Sequence, residues 1–282
     1  MMSVRRINYA LLDAFEEYLR GEERSDGTVE KYMRDMRRFA DWLAGREVTK
    51  EAVTSWKGHL AGSGHKPATV NSMLSALNQF LIFSGWAECR VKYLRIQRQL
   101  FRSEQRELTR EEYGHLLAAA QGRGRERLAL LLQTICATGI RVSEVQYITV
   151  EAVRDRRAEI FLKGKIRTIL LPGKLCRKLE KYARKQKTAS GEIFLTRSGK
   201  SISRRQIWAE MKGLCALAGV SPSKVFPHNL RHLFARTFYR ACRDVAKLAD
   251  VLGHSSMETT RIYLVSSGAE HARQMERLGL IS

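Results

Sequence analysis

Residues 25–45 read "SDGTVEKYMRDMRRFADWLAG" (Ser25–Gly45), and their spacing decides the character of the first part of the chain. Val29, Tyr32, Met36, Phe39 and Leu43 recur every three or four residues and share one face, while Arg34, Arg37 and Arg38 fall off it. That period belongs to a helix, because a strand alternates its faces every second residue. Gly45 then supplies a stop. The idea repeats in "KPATVNSMLSALNQFLIFSGW" (Lys66–Trp86), where Val70, Met73, Leu77 and Leu81 form the stripe and Gly85 the stop. The first ~90 residues therefore predict a compact helical bundle.

Residues 90–107, "RVKYLRIQRQLFRSEQRE", are basic and contain neither Gly nor Pro. They either continue a helix or form an extended linker lying along a duplex. A restart follows at "LTREEYGHLL", where Thr109 and Glu112 have the spacing of a capping box. The expected organisation is a helical domain over 1–90, a linker over 91–107 and a second domain over 108–282.

In the second domain "RERLALLLQTICATG" (Arg125–Gly139) is apolar nearly all round, which predicts a buried helix ending near Gly139. "AEIFLK" and "RTILLP" are two β-rich runs around a turn containing Gly164, a hairpin by pattern. Helices are expected near 174–186, 203–218, 228–242, 244–252 and 257–264, with a last one in "AEHARQMERLGLI" (Ala269–Ile281). The fold class is mainly α (α+β): a helical bundle followed by a mixed, mostly helical domain with a small β-hairpin sheet.

With 282 residues and 44% hydrophobic content the chain can bury a real core, which argues against wholesale disorder. Its 50 Lys and Arg exceed 29 Asp and Glu, a formal charge of +21. Basic residues recur along the whole chain, so the excess points to a folded surface facing a polyanion such as nucleic acid. The five cysteines are scattered, with no CxxC pair, and read as reduced small apolar residues. No signal-peptide pattern and no apolar run near the ~20 residues of a membrane span is present, and a cytoplasmic protein is expected.

Four short segments of the second domain ask for a joint explanation. "TGIRVSEV" carries Arg141 and, three residues on, Glu144; "LKGKIR" puts Lys163 and Lys165 at the hairpin turn. "PHNLRHLFA" gives His228, Arg231 and His232, the first two one helical turn apart, and "LGHSSMETTRIYL" gives His254 and Tyr263. Attack on a phosphodiester needs such a set. Its transition state spreads negative charge over non-bridging oxygens, which planar guanidiniums bind in bidentate fashion and stabilise electrostatically. A tyrosine hydroxyl must lose its proton as it attacks, so a nearby imidazole is a sensible base. A lysine on a turn can protonate the departing sugar oxygen. Glu144 suits orienting an arginine, and no Asp/Glu cluster or HxH stands where metal ligands would be expected, so metal-free chemistry without a cofactor is the expectation. The competing reading makes Tyr263 and Ile262 core residues of a short helix.

Three of these segments, "TGIRVSEV", "PHNLRHLFA" and "LGHSSMETTRIYL", resemble the three signature segments of the tyrosine recombinases, the phage-integrase and Xer group, over most of residues 108–264. The resemblance implies that Arg141 and Arg231 clamp the phosphate, with Glu144 accompanying the first arginine. It makes His228 the proton-transfer histidine, His254 the residue contacting a scissile-phosphate oxygen, and Tyr263 the nucleophile of a 3′-phosphotyrosyl link. The hairpin is one residue shorter than the family's usual Gly-Lys-Gly-x-Lys, so Lys163 is favoured as the catalytic lysine with Lys165 as the alternative. The implied fold is a clamp of two domains around double-stranded DNA, with a core-binding first domain and a catalytic second one. The implied assembly is a homotetramer on paired sites with inverted repeats, using no ATP. The C-terminal helix, with Met275, Leu278 and Ile281, is then a candidate for exchange between protomers. The chain starts almost directly at the core-binding region, which favours a simple Xer-like enzyme or small invertase or integrase without arm sites. Two rivals are disfavoured: a DNA-binding protein of the same fold that has lost cleavage, by the complete set of Arg, Lys, His, Arg, His and Tyr, and a type IB topoisomerase, by the core-binding pattern and the Xer-like motifs.

Overall fold

The computed structural model describes residues 5–96, 106–162, 165–254, 256–261, 263 and 275–278. The chain divides into two compact units, Met1–Arg98 and Gln99–Ser282.

The first unit holds α1 (Tyr9–Gly21), α2 (Asp26–Leu43), α3 (Lys50–Gly62) and α4 (Pro67–Phe83). Asn8 and Thr49 cap α1 and α3 with their side chains, and Pro67 opens α4 at a position where no backbone N–H is needed. On α2 the expected stripe is buried at Val29, Met36, Phe39 and Leu43, while Tyr32 sits at its rim and places its hydroxyl 3.3 Å from Ser75 Oγ. The α4 stripe is buried too, but Leu74, Ala76, Asn78 and Phe80 join it, because α4 is the central helix and meets neighbours on several sides. Asn71 and Asn78, two turns apart, receive the chain that leaves this unit. Each amide donates to and accepts from one backbone residue, Asn78 with Val91 (3.0 and 3.0 Å) and Asn71 with Leu94 (2.9 and 2.7 Å). The start of the expected linker is thus an extended segment tied to α4, with Val91 buried.

The second unit begins with α5 (Arg110–Gly122), capped by Thr109 and Glu112 in the reciprocal box that their spacing predicted. α6 (Glu126–Thr138) is the buried helix expected from its all-round apolarity, with Leu128 to Leu132, Thr134, Ile135 and Thr138 inside and Gly139 closing it at φ 66°. A 3₁₀ segment (Val142–Tyr147) and the short α7 (Val150–Arg154) lead to β1 (Arg157–Leu162) and β2 (Lys165–Leu170). The two strands pair antiparallel from Arg157↔Leu170 to Leu162↔Lys165. Residues 163 and 164, with the favoured catalytic Lys163, lie outside the described residues.

α8 (Gly173–Lys185) packs against α6 and α7. The continuous helix expected over 203–218 is instead two, α9 (Arg204–Lys212) and α10 (Cys215–Ala218). The break falls at Gly213–Leu214, where the chain turns so that Leu214 and Cys215 enter the core. α11 (Pro227–Cys242) crosses α6, followed by α12 (Val245–Leu252) and α13 (Met257–Arg261). Of the expected C-terminal helix only residues 275–278 are described, with Met275 and Leu278 exposed; the rest lies outside the described residues. Cys89, Cys176 and Cys215 are buried, Cys136 half-buried and Cys242 exposed, all as free thiols.

Candidate active site

Three helix boundaries bring the predicted side chains together. Gly139 ends α6 in the left-handed region, and the turn it allows delivers Arg141 to the mouth of the 3₁₀ segment. A Cβ at Gly139 would overlap the ring of Phe234 on α11, so this turn lies directly against the helix that carries Arg231. Gly253 ends α12 in the same way and turns the chain towards His254. Pro227 opens α11, placing His228 in its first turn and Arg231 one turn further in.

Glu144 is buried and uses both carboxylate oxygens. Oε2 accepts from the Arg141 backbone N–H at 2.7 Å, and Oε1 from the Arg141 guanidinium at 2.9 Å. Arg231 is only 2% exposed. It donates to the carbonyl oxygens of Gly139 and Leu252 and to Nε2 of His254, the last two at 2.8 Å, and its charge faces the Tyr263 side chain. Arg141 reaches towards the Gly253 carbonyl at 3.4 Å, yet its side chain remains 42% exposed. One guanidinium is therefore built into the floor, and the other faces outward, where a ligand can meet it.

A guanidinium only donates, so Nε2 of His254 must accept from Arg231. The ring proton then sits on Nδ1 and is donated to Thr260 Oγ1, 2.9 Å away. Burial, followed by the charges of Arg231, Arg141 and Arg167, holds this imidazole down to a pKa of about 4, so it is neutral at pH 7. Tyr263 is 4% exposed and clusters with Ala235, Leu248 and Leu252, so the apolar packing of the competing reading is present. The same ring lies in a cage of imidazoles, with centroids 4.4 Å from His232, 5.5 Å from His254 and 6.0 Å from His228. The two readings of Tyr263 are compatible. Its ring packs in a small apolar cluster while its side chain lies in the field of the Arg231 charge.

Arg141, Glu144, His228, Arg231, His254 and Tyr263 thus share one site, while the side chain of Lys165 is not described and Lys163 lies outside the described residues. The sequence reading did not include Arg167, whose guanidinium is 2.6 Å from Glu144 Oε2, nor Thr260, nor the tilted contact of the His232 ring with the tyrosine. Arg167 had a signal: a charged residue at an inward position of a β-strand that otherwise buries Ile169. Thr260 had none, since it depends on how α13 folds back over His254.

Comparison with known proteins bears on this geometry. Residues 106–270, more than half of the chain, match the phage integrase family. The chain belongs to the phage integrase family. Its residues 12–88 also match the N-terminal SAM-like domain of phage integrases. Tyrosine recombinase XerA of Thermococcus kodakarensis is 30% identical over 277 residues, covering 94% of this chain and 94% of that one. Tyrosine recombinase XerD of Brucella melitensis is 30% identical over 270 residues, covering 85% and 86%. In fold, the chain is similar to a lambda integrase tetramer bound to a Holliday junction, with TM-score 0.73 at 17% identity over 93% of this chain and 78% of that one. It is also similar to the XerH recombinase bound to its difH substrate, with TM-score 0.68 at 18% identity over 95% and 84%. This member of the family is an Xer-like tyrosine recombinase, an enzyme of site-specific DNA recombination.

Proposed function

We propose that this recombinase cuts and rejoins double-stranded DNA at inverted-repeat sites, with Tyr263 as nucleophile and Arg141, Arg231, His228 and His254 as its catalytic partners. The observation that carries the reading is the position of Arg231, whose buried guanidinium donates to His254, the ring stacked on Tyr263, beside the exposed Arg141. A phosphate placed between the two guanidiniums meets paired donors and lies next to the tyrosine oxygen. Attack forms a bond from the Tyr263 oxygen to phosphorus and breaks the bond to the 5′ oxygen. The tyrosine proton passes to His228, and Lys163, with Lys165 as the alternative, gives a proton to the departing 5′ oxygen, which leaves as a hydroxyl. Phosphotyrosine conserves the bond energy, and the reverse step rejoins a new 5′ end without ATP.

The resting hydrogen bonds add one condition. Nε2 of His254 is occupied by Arg231, so an incoming phosphate oxygen must first take that guanidinium hydrogen. The negative phosphate then offsets the arginine charges that keep His254 neutral, and the imidazole gains a proton with which to hold a non-bridging oxygen. Glu144 keeps Arg141 in place for the same phosphate.

The functional assembly in this reading is a homotetramer on two paired sites, in the cytoplasm, with residues 269–281 exchanged between protomers. The exposure of Met275 and Leu278, 68% and 63%, suits burial in a neighbour. The test is a plasmid carrying two copies of a bound segment, incubated with the protein alone. Products of inversion or excision are expected. Relaxation of a supercoiled plasmid lacking the segment would favour the topoisomerase reading instead.

A further inference from the structure

We propose that Arg167 is a positioning residue for strand cleavage: it fastens Glu144 to the Leu252–Gly253–His254 turn and so sets the aim of Arg141 and His254. The inference rests on the recombinase reading of this site.

Strand β2 turns Ile166 and Leu170 outward, 70% and 77% exposed, and Ile169 inward at 3%. Arg167 shares the inward side with Ile169, and its side chain is 15% exposed. A long cation placed there is costly unless its charge is met. Two acceptors meet it, and both belong to the site. One guanidinium nitrogen donates to Glu144 Oε2 at 2.6 Å and the other to the carbonyl oxygen of Leu252. The third nitrogen, Nε, is buried with no partner among the described residues.

The contacts explain what the guanidinium does. Oε2 of Glu144 is shared between Arg167 and the Arg141 backbone, leaving Oε1 for the Arg141 side chain. Without Arg167 the carboxylate can swing fully onto Arg141, engage it through both oxygens and draw it away from the phosphate. The Leu252 carbonyl, at the negative end of α12, accepts from Arg167 and from Arg231 together. Gly253 lies so close that a Cβ there would overlap the Arg167 guanidinium. The turn that presents His254 is therefore moulded on Arg167. The same strand begins at Lys165, so the guanidinium also anchors the hairpin that carries the two candidate lysines.

The experiment uses the full chain with Arg167→Lys and Arg167→Ala. A lysine keeps the charge but cannot span two acceptors in a plane. The variants are incubated with nicked duplexes tiled from the DNA flanking the gene, and affinity and the rate of covalent adduct at saturating duplex are measured separately. Both variants are expected to bind within a few-fold of wild type, while the adduct rate of Arg167→Lys falls about 100-fold, the scale of an ångström of misplacement. A wild-type adduct rate in Arg167→Lys, or a loss confined to affinity, would overturn the proposal. A second readout needs no DNA: the His254 ring signal in a carbon–proton correlation spectrum at neutral pH, assigned through its loss in His254→Asn. Arg167→Lys, with its charge retained, is expected to move that signal because the turn is released, and an unmoved signal overturns the inference. If wild type forms no adduct on any duplex, the flanking DNA lacks its site, and the spectrum alone decides whether Arg167 sets the turn.

Discussion

Replacing Thr260 by valine removes one oxygen and keeps the shape, which makes it a sharp probe of how His254 is held. Thr260 is fully buried, and its hydroxyl is the acceptor for the His254 Nδ1–H at 2.9 Å. The tautomer is dictated from the other side, because Arg231 can only donate to Nε2. In Thr260→Val the Nδ1–H loses its acceptor, a loss of about 1–3 kcal/mol for a buried donor. His254 is only half-buried, so water recovers part of this and the stability change belongs at the lower end. The reaction has less relief, since the ring must present Nε2 to a phosphate oxygen in one orientation. The same 1–3 kcal/mol there corresponds to about 5–160-fold in rate. Urea denaturation measures the first quantity and single-turnover adduct formation at saturating duplex the second. Thr260→Ser retains the acceptor and should retain most of the rate. Wild-type cleavage by Thr260→Val would show that this hydrogen bond does not orient His254, and the chain of contacts from α13 to the phosphate would be wrong.

Two further outcomes follow from the same geometry. His254 has a folded-state pKa near 4 against 6.5 when unfolded, so between these values the unfolded chain binds a proton that the folded one refuses. Stability should therefore fall as pH drops from about 6.5 towards 4, and the fall should be shallower in His254→Asn, as read by urea midpoints across that window. Gly253→Ala places a Cβ in a left-handed position at φ 62° and against the Arg167 guanidinium. It should lose about 1–2 kcal/mol from the backbone alone, and its adduct rate should fall further than its stability accounts for; equal losses would argue against the moulded turn.

The helices were legible where local chemistry decides them. The Val29 to Leu43 stripe, the Thr109–Glu112 box and the all-round apolar α6 each carry their own signal, and each is present as read. The hairpin was equally plain from its two β-rich runs. What stayed hidden depends on partners distant in sequence. Asn71 and Asn78 look like ordinary polar positions of α4 until Val91 and Leu94 arrive beside them. The break at Gly213 appears only when Leu214 and Cys215 are drawn into the core. In the site, residue types and order pointed to the arginines, histidines and tyrosine. The sequence could not show that one carbonyl, that of Leu252, would be shared by Arg167 and Arg231.

The central claim is that Tyr263 makes a covalent bond to DNA. Wild-type protein and Tyr263→Phe, incubated with labelled nicked duplexes tiled from the flanking DNA, would be resolved under denaturing conditions beside a gel shift. A protease-sensitive covalent band for wild type alone, with equal binding by both proteins, is the predicted result. An adduct formed by Tyr263→Phe would contradict the account, because some other residue would then be the nucleophile.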